Sequence, residues 1–496
     1  MKLSPLLKEK LKVDPPPQPI KCVVEVSPQR LDYVIQQLQE MGIRVDRNLI
    51  SQPIPNGSYY IPAAIPADKL SEVERIPGVI SISKSMIRAA GGAILSPTPK
   101  PFASVPDELL GEVHIPAVEI PPGAFFQSFP NPVKGLGSMQ AIFTGMNPVS
   151  NVRIYPTSVV AKIVKDVGTN DGAGVTVAVL DTGSPFGTPQ FFAKMGTLEQ
   201  YTVIPEPPDD MQSHGSWCHN AVCGGQAPSP YGPVIGMAPA VQRSIHVKCL
   251  NTFPGAGSTE GILKAIEIAV KRGAQVISMS LGGPAQGNSI DQDPECKVIN
   301  ELVKQDVIPV IAAGNSGPNP FTCGTPGSAV DAITVGSVSI TDKFLPAWWS
   351  SRLQSDWYKE HQDEFSNDLK YGDLLIKPDC TSLGGGRAAK DVAPDEVIWS
   401  GAKGWFEPFY DGLIDATGGM HGTSQATPVV AGLIACLISD GVISGVDDIK
   451  NQLKETAEEY IIVDPYNEET DKQYVEQYGK SIATGWGLFK LSRFKR

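Results

Sequence analysis

Three residues of this chain have the chemical types of a nucleophile, a base and an orienting acid. Each stands in a stretch of small residues that would expose it: Ser424 in Gly422-Thr423-Ser424, His214 in Ser213-His214-Gly215-Ser216 and Asp181 in Asp181-Thr182-Gly183. A serine hydroxyl is a weak nucleophile until a base takes its proton, and an imidazole serves as that base when a carboxylate fixes its tautomer. Asp, His and Ser in this chain order is one of the known arrangements of that geometry. The chemistry would be acyl transfer. The plainer alternative is that Gly-Thr-Ser only caps a core helix.

The elements around these residues must position them. Gly422 and Thr423 permit a tight turn before the serine. Ala426, Val429, Val430, Leu433, Ile434, Leu437 and Ile438 then run almost all round a helix, which predicts a buried one. Pro428 is placed in its first turn, where a missing N–H costs little, and Gly441 is its stop signal. Ser424 therefore falls at a helix N-terminus, where free N–H groups and the positive dipole end favour a developing anion. Val175 to Leu180 is apolar and β-branched, a buried parallel strand that delivers Asp181 at its carboxyl end, where ligands bind in open α/β sheets. His214 opens a helix running through Val222.

These segments resemble the subtilisin-like serine proteases, the subtilases. The resemblance implies that Asp181 holds the imidazole, His214 acts as general base and then general acid, and Ser424 attacks the scissile carbonyl. Ile311 to Gly317, which contains Asn315, resembles the family's oxyanion-hole segment, and the resemblance places the Asn315 amide beside the Ser424 N–H. Losing one such donor typically costs about 10²–10³ in kcat. Ser280, Leu281, Gly282 and Gly283 resemble the substrate-backbone strand, and with Ala312, Ala313 and Gly314 they would border the specificity pocket. The chain departs from the family at Gln425 and Val429, where Met and His are usual, and at Trp217 and Cys218 after the histidine motif. None of these positions carries the chemistry, so altered packing is the expected consequence. Trp217 is read as core, and His219, five residues past His214, as pointing elsewhere.

Along the chain, residues 1–19 read as a flexible leader ending in Pro15-Pro16-Pro17. Residues 20–87 carry a βαββαβ pattern, which is ferredoxin-like, and resemble the inhibitory prodomain of subtilases. That resemblance implies a zymogen whose own N-terminal unit is an intramolecular inhibitor, the alternative being an unrelated α+β module. Residues 88–149, dense in Pro and Gly, read as a linker that holds the cleavage site or wraps across the cleft. Residues 150–496 form the catalytic domain. Strands and helices alternate there, which predicts an α/β, three-layer, mainly parallel subtilisin-like fold. A short helix with Ser158 as N-cap opens it, Pro309 implies an irregular start to one strand, and insertions are placed around 353–376 and 391–418. Gly485 to Phe489 resembles the turn that closes the family's domain, so no large C-terminal appendage is expected.

Composition bounds the rest. A net charge of −12 with no long basic run argues against nucleic acid as a partner. No apolar stretch approaches the roughly 18 residues of a membrane span. The start lacks a Sec-type apolar core, so the compartment is cytoplasmic by default. Eight scattered cysteines lack metal-ligand spacing and read as reduced buried thiols. No metal ligand set and no required cofactor are expected. Structural Ca²⁺, which the resemblance implies, would bind through ligands the sequence does not identify. The partners expected are polypeptide substrates and the chain's own N-terminal unit. Two rival readings compete with this one. Leu180 to Ser184 fits the aspartic protease loop, but that chemistry needs two such aspartates and the chain has one Asp-Thr-Gly. The other is a subtilase-fold protein without activity, serving as a binding or structural module, against which stand all of Asp181, His214, Asn315 and Ser424.

Overall fold

The computed structural model describes Leu3 and residues 18–90, 93–95, 152–184, 196–229, 231–252, 254–284, 292–340, 343–354, 372–386, 395–401 and 417–495. Most of the leader, nearly all of the linker and the greater part of both insertions lie outside the described residues.

The N-terminal unit is the expected βαββαβ: β1 (Ile20–Val26), α1 (Leu31–Glu40), β2 (Arg44–Val45), β3 (Tyr59–Ile65), α2 (Leu70–Arg75) and β4 (Val79–Lys84). Its sheet is antiparallel in the order β2-β3-β1-β4. Strand side chains alternate between faces, and here the alternation serves two cores. Val24, Val26, Ile61 and Ile65 pack under α1 and α2 with Leu38 and Val73. Val23 and Tyr60, on the other face, join the core of the main body.

The main body is built on a seven-stranded sheet: β8 (Thr176–Asp181), β9 (Thr197–Thr202), β10 (Arg243–Lys248), β12 (Val276–Met279), β14 (Ile308–Ala312), β15 (Ile333–Val338) and β16 (Cys380–Leu383). Their order is β16-β15-β14-β12-β8-β10-β9, and every pairing is parallel. Both faces are covered, which explains why these strands read as apolar runs rather than alternations. Val177 and Val179 face one core with α3 (Thr157–Val164), α4 (His214–Cys223), α7 (Thr423–Ser439) and α8 (Val446–Glu455). Ala178 and Leu180 face the other with α5 (Thr259–Lys271) and α6 (Pro294–Leu302). Each fully buried Val or Leu here is worth about 1.5–3 kcal/mol relative to exposure. The result is the three-layer α/β arrangement expected.

Several local expectations are corrected. Helix α3 begins at Thr157 with Pro156 as its N-cap, so Ser158 lies inside it. Pro309 pairs with Ile277, at a level where β15 has not yet begun, and its missing N–H interrupts no ladder on that side. The stretch read as a second insertion contains a strand, β17 (Asp395–Gly401), between β7 (Val152–Pro156) and β18 (Thr417–His421). The cysteines, by contrast, are as expected: all eight are buried and none is in a disulfide. Among the described residues no helix is long and apolar enough to cross a membrane.

Two buried ion centres brace the main body. Asp379 takes Lys377 at 2.7 Å and Lys480 at 2.8 Å, with Lys450 at 3.9 Å, and all four are buried. Burial opposes its ionisation, but the three ammonium groups outweigh it and hold the carboxyl far below its usual range. Arg352 is clamped to Asp464 by two hydrogen bonds of 2.6 and 3.1 Å, tying the C-terminal segment to the loop after β15.

Candidate active site

Asp181 ends β8, the strand between β12 and β10, and is fully buried. Its Oδ1 accepts from the Thr182 N–H and from His214 Nδ1, each at 2.7 Å. Its Oδ2 has no hydrogen-bond partner among the described residues. That geometry puts the Nδ1 proton toward the carboxylate and leaves Nε2 as the basic nitrogen.

His214 is the first residue of α4, every residue of which is buried. The start of this helix is held by a residue that the sequence reading missed. Asp210 Oδ1 accepts from the Gln212 and Ser213 N–H groups at 2.9 Å and from Thr182 Oγ1 at 3.0 Å, and its Oδ2 accepts from the Ser216 N–H at 2.6 Å. One carboxylate thus satisfies first-turn donors and ties the histidine turn to the aspartate turn. The only signal available was an aspartate four residues before His214. Gly215 must be glycine, because a Cβ there would lie 2.2 Å from the Gly183 carbonyl. Burial lowers the affinity of His214 for a proton, but the Asp181 charge and hydrogen bond more than offset it, and its pKa is held well above the ordinary value. Cys218 Sγ is 3.8 Å from Nδ1, yet burial raises that thiol's own pKa, so it is neutral and Asp181 is the cause. His219 turns away, as expected, and stacks on His246 with ring centroids 5.7 Å apart; Trp217 is core.

Ser424 is the second residue of α7, entered through Gly422 at φ 158°. Its Oγ donates to the Ser280 carbonyl at 3.1 Å. Pro428 lies further into the helix than the sequence reading placed it, at the position whose N–H would bond the Ser424 carbonyl. Without that N–H the carbonyl is released, and it accepts instead from Ser280 Oγ at 2.8 Å and Cys218 Sγ at 3.5 Å. The proline therefore links the serine turn to both Ser280, between β12 and β13, and the histidine helix. Asn315, on the loop after β14, accepts with Oδ1 from the Thr423 N–H at 2.9 Å and Thr423 Oγ1 at 3.0 Å. Those bonds assign the amide orientation and leave its NH₂ to donate elsewhere.

The expected substrate-binding residues divide. β13 (Leu281–Gly282) offers its edge, while Gly283 exchanges two 2.9 Å backbone bonds with Thr325. Ala312 and Ala313 are buried, Ala313 bonding Val335 and Gly324, and the Gly314 N–H donates to Thr423 Oγ1 at 3.1 Å. The β13 edge is already occupied. β5 (Ile87–Ala90) lies antiparallel between it and β11 (Ala256–Ser258), pairing Ala90 with Leu281, Ala89 with Gly282 and Arg88 with Gly257. Ala90 is thus one register step from Ser280, the residue bonded to Ser424. Beyond it, β6 (Ala93–Leu95) pairs with β18 up to Ala93 opposite His421, three residues before the serine. Both strands belong to the stretch around the expected boundary between N-terminal unit and linker.

Among the described residues, Asp181, His214 and Cys218 alone bring three metal-ligating atoms within 4.8 Å of one another. The chemistry of the set does not suit an ion: Nδ1 is engaged by Asp181, and a ligand cysteine must be a thiolate, whereas burial keeps Cys218 protonated.

Residues 172–487 match the sequence profile described as the Subtilase family. Pyrolysin of Pyrococcus furiosus is 31% identical over 283 residues, which are 52% of this chain and 17% of that protein. Serine protease AprX of Bacillus subtilis is 28% identical over 318 residues, 61% of this chain and 66% of that one. The chain therefore spans a minor part of the first and just under two thirds of the second. Among solved structures, fervidolysin of Fervidobacterium pennivorans, a keratinolytic enzyme related to subtilisin, superposes with a TM-score of 0.58 at 16% identity, covering 99% of this chain and 62% of that one. That likeness speaks for the fold. With a family match across most of the main body and a three-layer parallel sheet that brings Asp181 against His214 and Ser424 against Ser280, this chain belongs to the subtilase family.

Proposed function

We propose that the chain is a serine endopeptidase made as a precursor that cuts itself within the link between Ala90 and Ala93. The observation that carries the reading is β5. It fills the groove between β11 and β13 as a third antiparallel strand and ends one register step from Ser280, whose carbonyl holds the Ser424 hydroxyl. A strand added to a sheet edge through main-chain bonds is how peptides of many sequences are bound. Because β6 continues beyond the serine, the groove accepts chain on both sides, which suits an internal peptide bond.

In this mechanism Ser424 Oγ bonds to the scissile carbonyl carbon as His214 Nε2 takes its proton. Asp181 holds the tautomer and stabilises the imidazolium. The oxyanion is met by the Asn315 NH₂ and the Ser424 N–H at the amino end of α7. The C–N bond breaks with the proton passed to the leaving amine, and water then hydrolyses the serine ester by the same route. The sheet β1–β4 stays bound over α5 and α6 as an inhibitor until it is released. Supporting this, Lys297 pairs with Glu25, and Lys264 Nζ donates to the Ile50 carbonyl at 3.0 Å.

Intact-mass analysis of the purified chain over time tests the reading. A new amino terminus between residues 91 and 93 is expected, and cleavage elsewhere or none contradicts it. A second expectation concerns pH. The base must be neutral, and Asp181 raises the pKa of His214, so kcat/KM of the processed enzyme should rise with pH through a value above the ordinary histidine range. An acid limb at or below about pH 6.5 would remove Asp181 from the role given it.

A further inference from the structure

We propose that Asp293 and Glu295 form a subsite that selects an arginine side chain in polypeptide substrates, at the strand position that Arg88 fills in the chain itself. The inference rests on the peptidase reading of the groove and adds to it a substrate class.

Main-chain pairing along β5 is indifferent to sequence, so selectivity must come from side chains. Of the four residues in β5, Ala89 and Ala90 are small and Ile87 is 55% exposed. Arg88 is the large one that enters the protein, and it is 1% exposed. Its Nε donates to Glu295 Oε2 at 2.8 Å and its Nη2 to Asp293 Oδ2 at 3.2 Å. Both acids belong to the start of α6 and are themselves buried. Asp293 caps that helix with Oδ1, which accepts from the Glu295 and Cys296 N–H groups at 3.0 Å, so Oδ2 is the atom turned to the ligand. Gly283 keeps the entrance open: a Cβ there would lie 3.0 Å from the Ile87 carbonyl oxygen and 3.5 Å from Arg88 Cδ.

The pocket stands on the main body, 205 residues from Arg88 in sequence, so it remains when the N-terminal unit departs. The two acids then lose the guanidinium that pairs them. Burial, and the neighbouring Asp293 charge, hold the Glu295 carboxyl above its usual range even with Arg88 beside it. A neutral side chain leaves these acids unpaired, which buried charges tolerate poorly. The two donors of a guanidinium fork reach two separate carboxylates, whereas lysine offers a point charge, so arginine should exceed lysine.

The test uses the full chain after its own processing and internally quenched peptides of residues 84–95 that carry Arg88, Arg88→Lys or Arg88→Gln. The Gln peptide should lose about 10²-fold or more in kcat/KM, as a site built for polar partners rejects an analogue lacking them, and the Lys peptide less. In Glu295→Gln enzyme the Arg-to-Gln preference should shrink by about tenfold or more. The peptide series on unmodified enzyme stands even if that variant folds poorly. Arg and Gln peptides cleaved at equal rates would overturn the subsite and leave Asp293 and Glu295 as a latch for the precursor alone. A chain that neither processes itself nor cleaves any peptide would overturn the peptidase reading beneath it.

Discussion

Replacing Ser424 by alanine should slow self-cleavage by about 10⁶-fold, the size found when the nucleophile of subtilisin itself is removed. On any practical timescale the precursor then stays whole. The magnitude follows from what is lost. Without Oγ no covalent ester forms, His214 has no proton to take, and only oxyanion stabilisation and strand pairing remain, worth about 10³–10⁴ over water. The fold should not follow the activity. Among the described residues the hydroxyl makes one hydrogen bond, to the Ser280 carbonyl, and net contributions of such bonds are about 1 kcal/mol. Self-cleavage followed by mass, beside thermal unfolding of the same preparation, separates the two effects. A variant that still processes itself would show that Ser424 is not the nucleophile, and one that is intact but unfolded would show that the serine is structural.

Replacing Asp379 by alanine should do the opposite, harming the fold first. The change leaves Lys377, Lys450 and Lys480 buried around a missing charge. Lys450 and Lys480 are already pushed down to about 7 and about 8 by burial, with Asp379 the main influence resisting it. Breaking a buried ion cluster by removing one partner typically costs about 3–5 kcal/mol. For a chain of this size that corresponds to a fall in Tm of about 3–7 °C. The half-exposed pair of Lys454 with Asp373 is the control, since Lys454→Ala should change stability by less than about 1 kcal/mol. Differential scanning calorimetry of the two variants checks this. Equal, small shifts would mean that the lysines relax into water when Asp379 is removed.

What was legible in the sequence was local. The apolar circuit from Ala426 to Ile438 announced a buried helix, and the β-branched run into Asp181 announced a parallel strand, because both patterns repeat at the period of the element that produces them. The βαββαβ order of the N-terminal unit was legible for the same reason. What escaped depends on contacts between distant segments. Asp210 caps the histidine helix through side-chain-to-backbone bonds that no periodicity encodes. Pro428 was read as harmless, because its effect, the release of the Ser424 carbonyl to Ser280, needs the β12 strand beside it. Lys377 lies two residues from Asp379 in sequence, but Lys450 and Lys480 join them only in the folded chain. The seating of β5 between β11 and β13, with Arg88 in an acid pocket, spans more than 160 residues of sequence.

The central claim is that Ser424 is the nucleophile of this groove. A fluorophosphonate, which bonds covalently to a serine whose proton a neighbouring base can take, tests it most directly. After processing of the chain, tryptic mass mapping should find one adduct, on Ser424, and none in the Ser424→Ala or His214→Ala variants. An adduct on another residue, or a processed chain that takes up no label at all, would contradict the account.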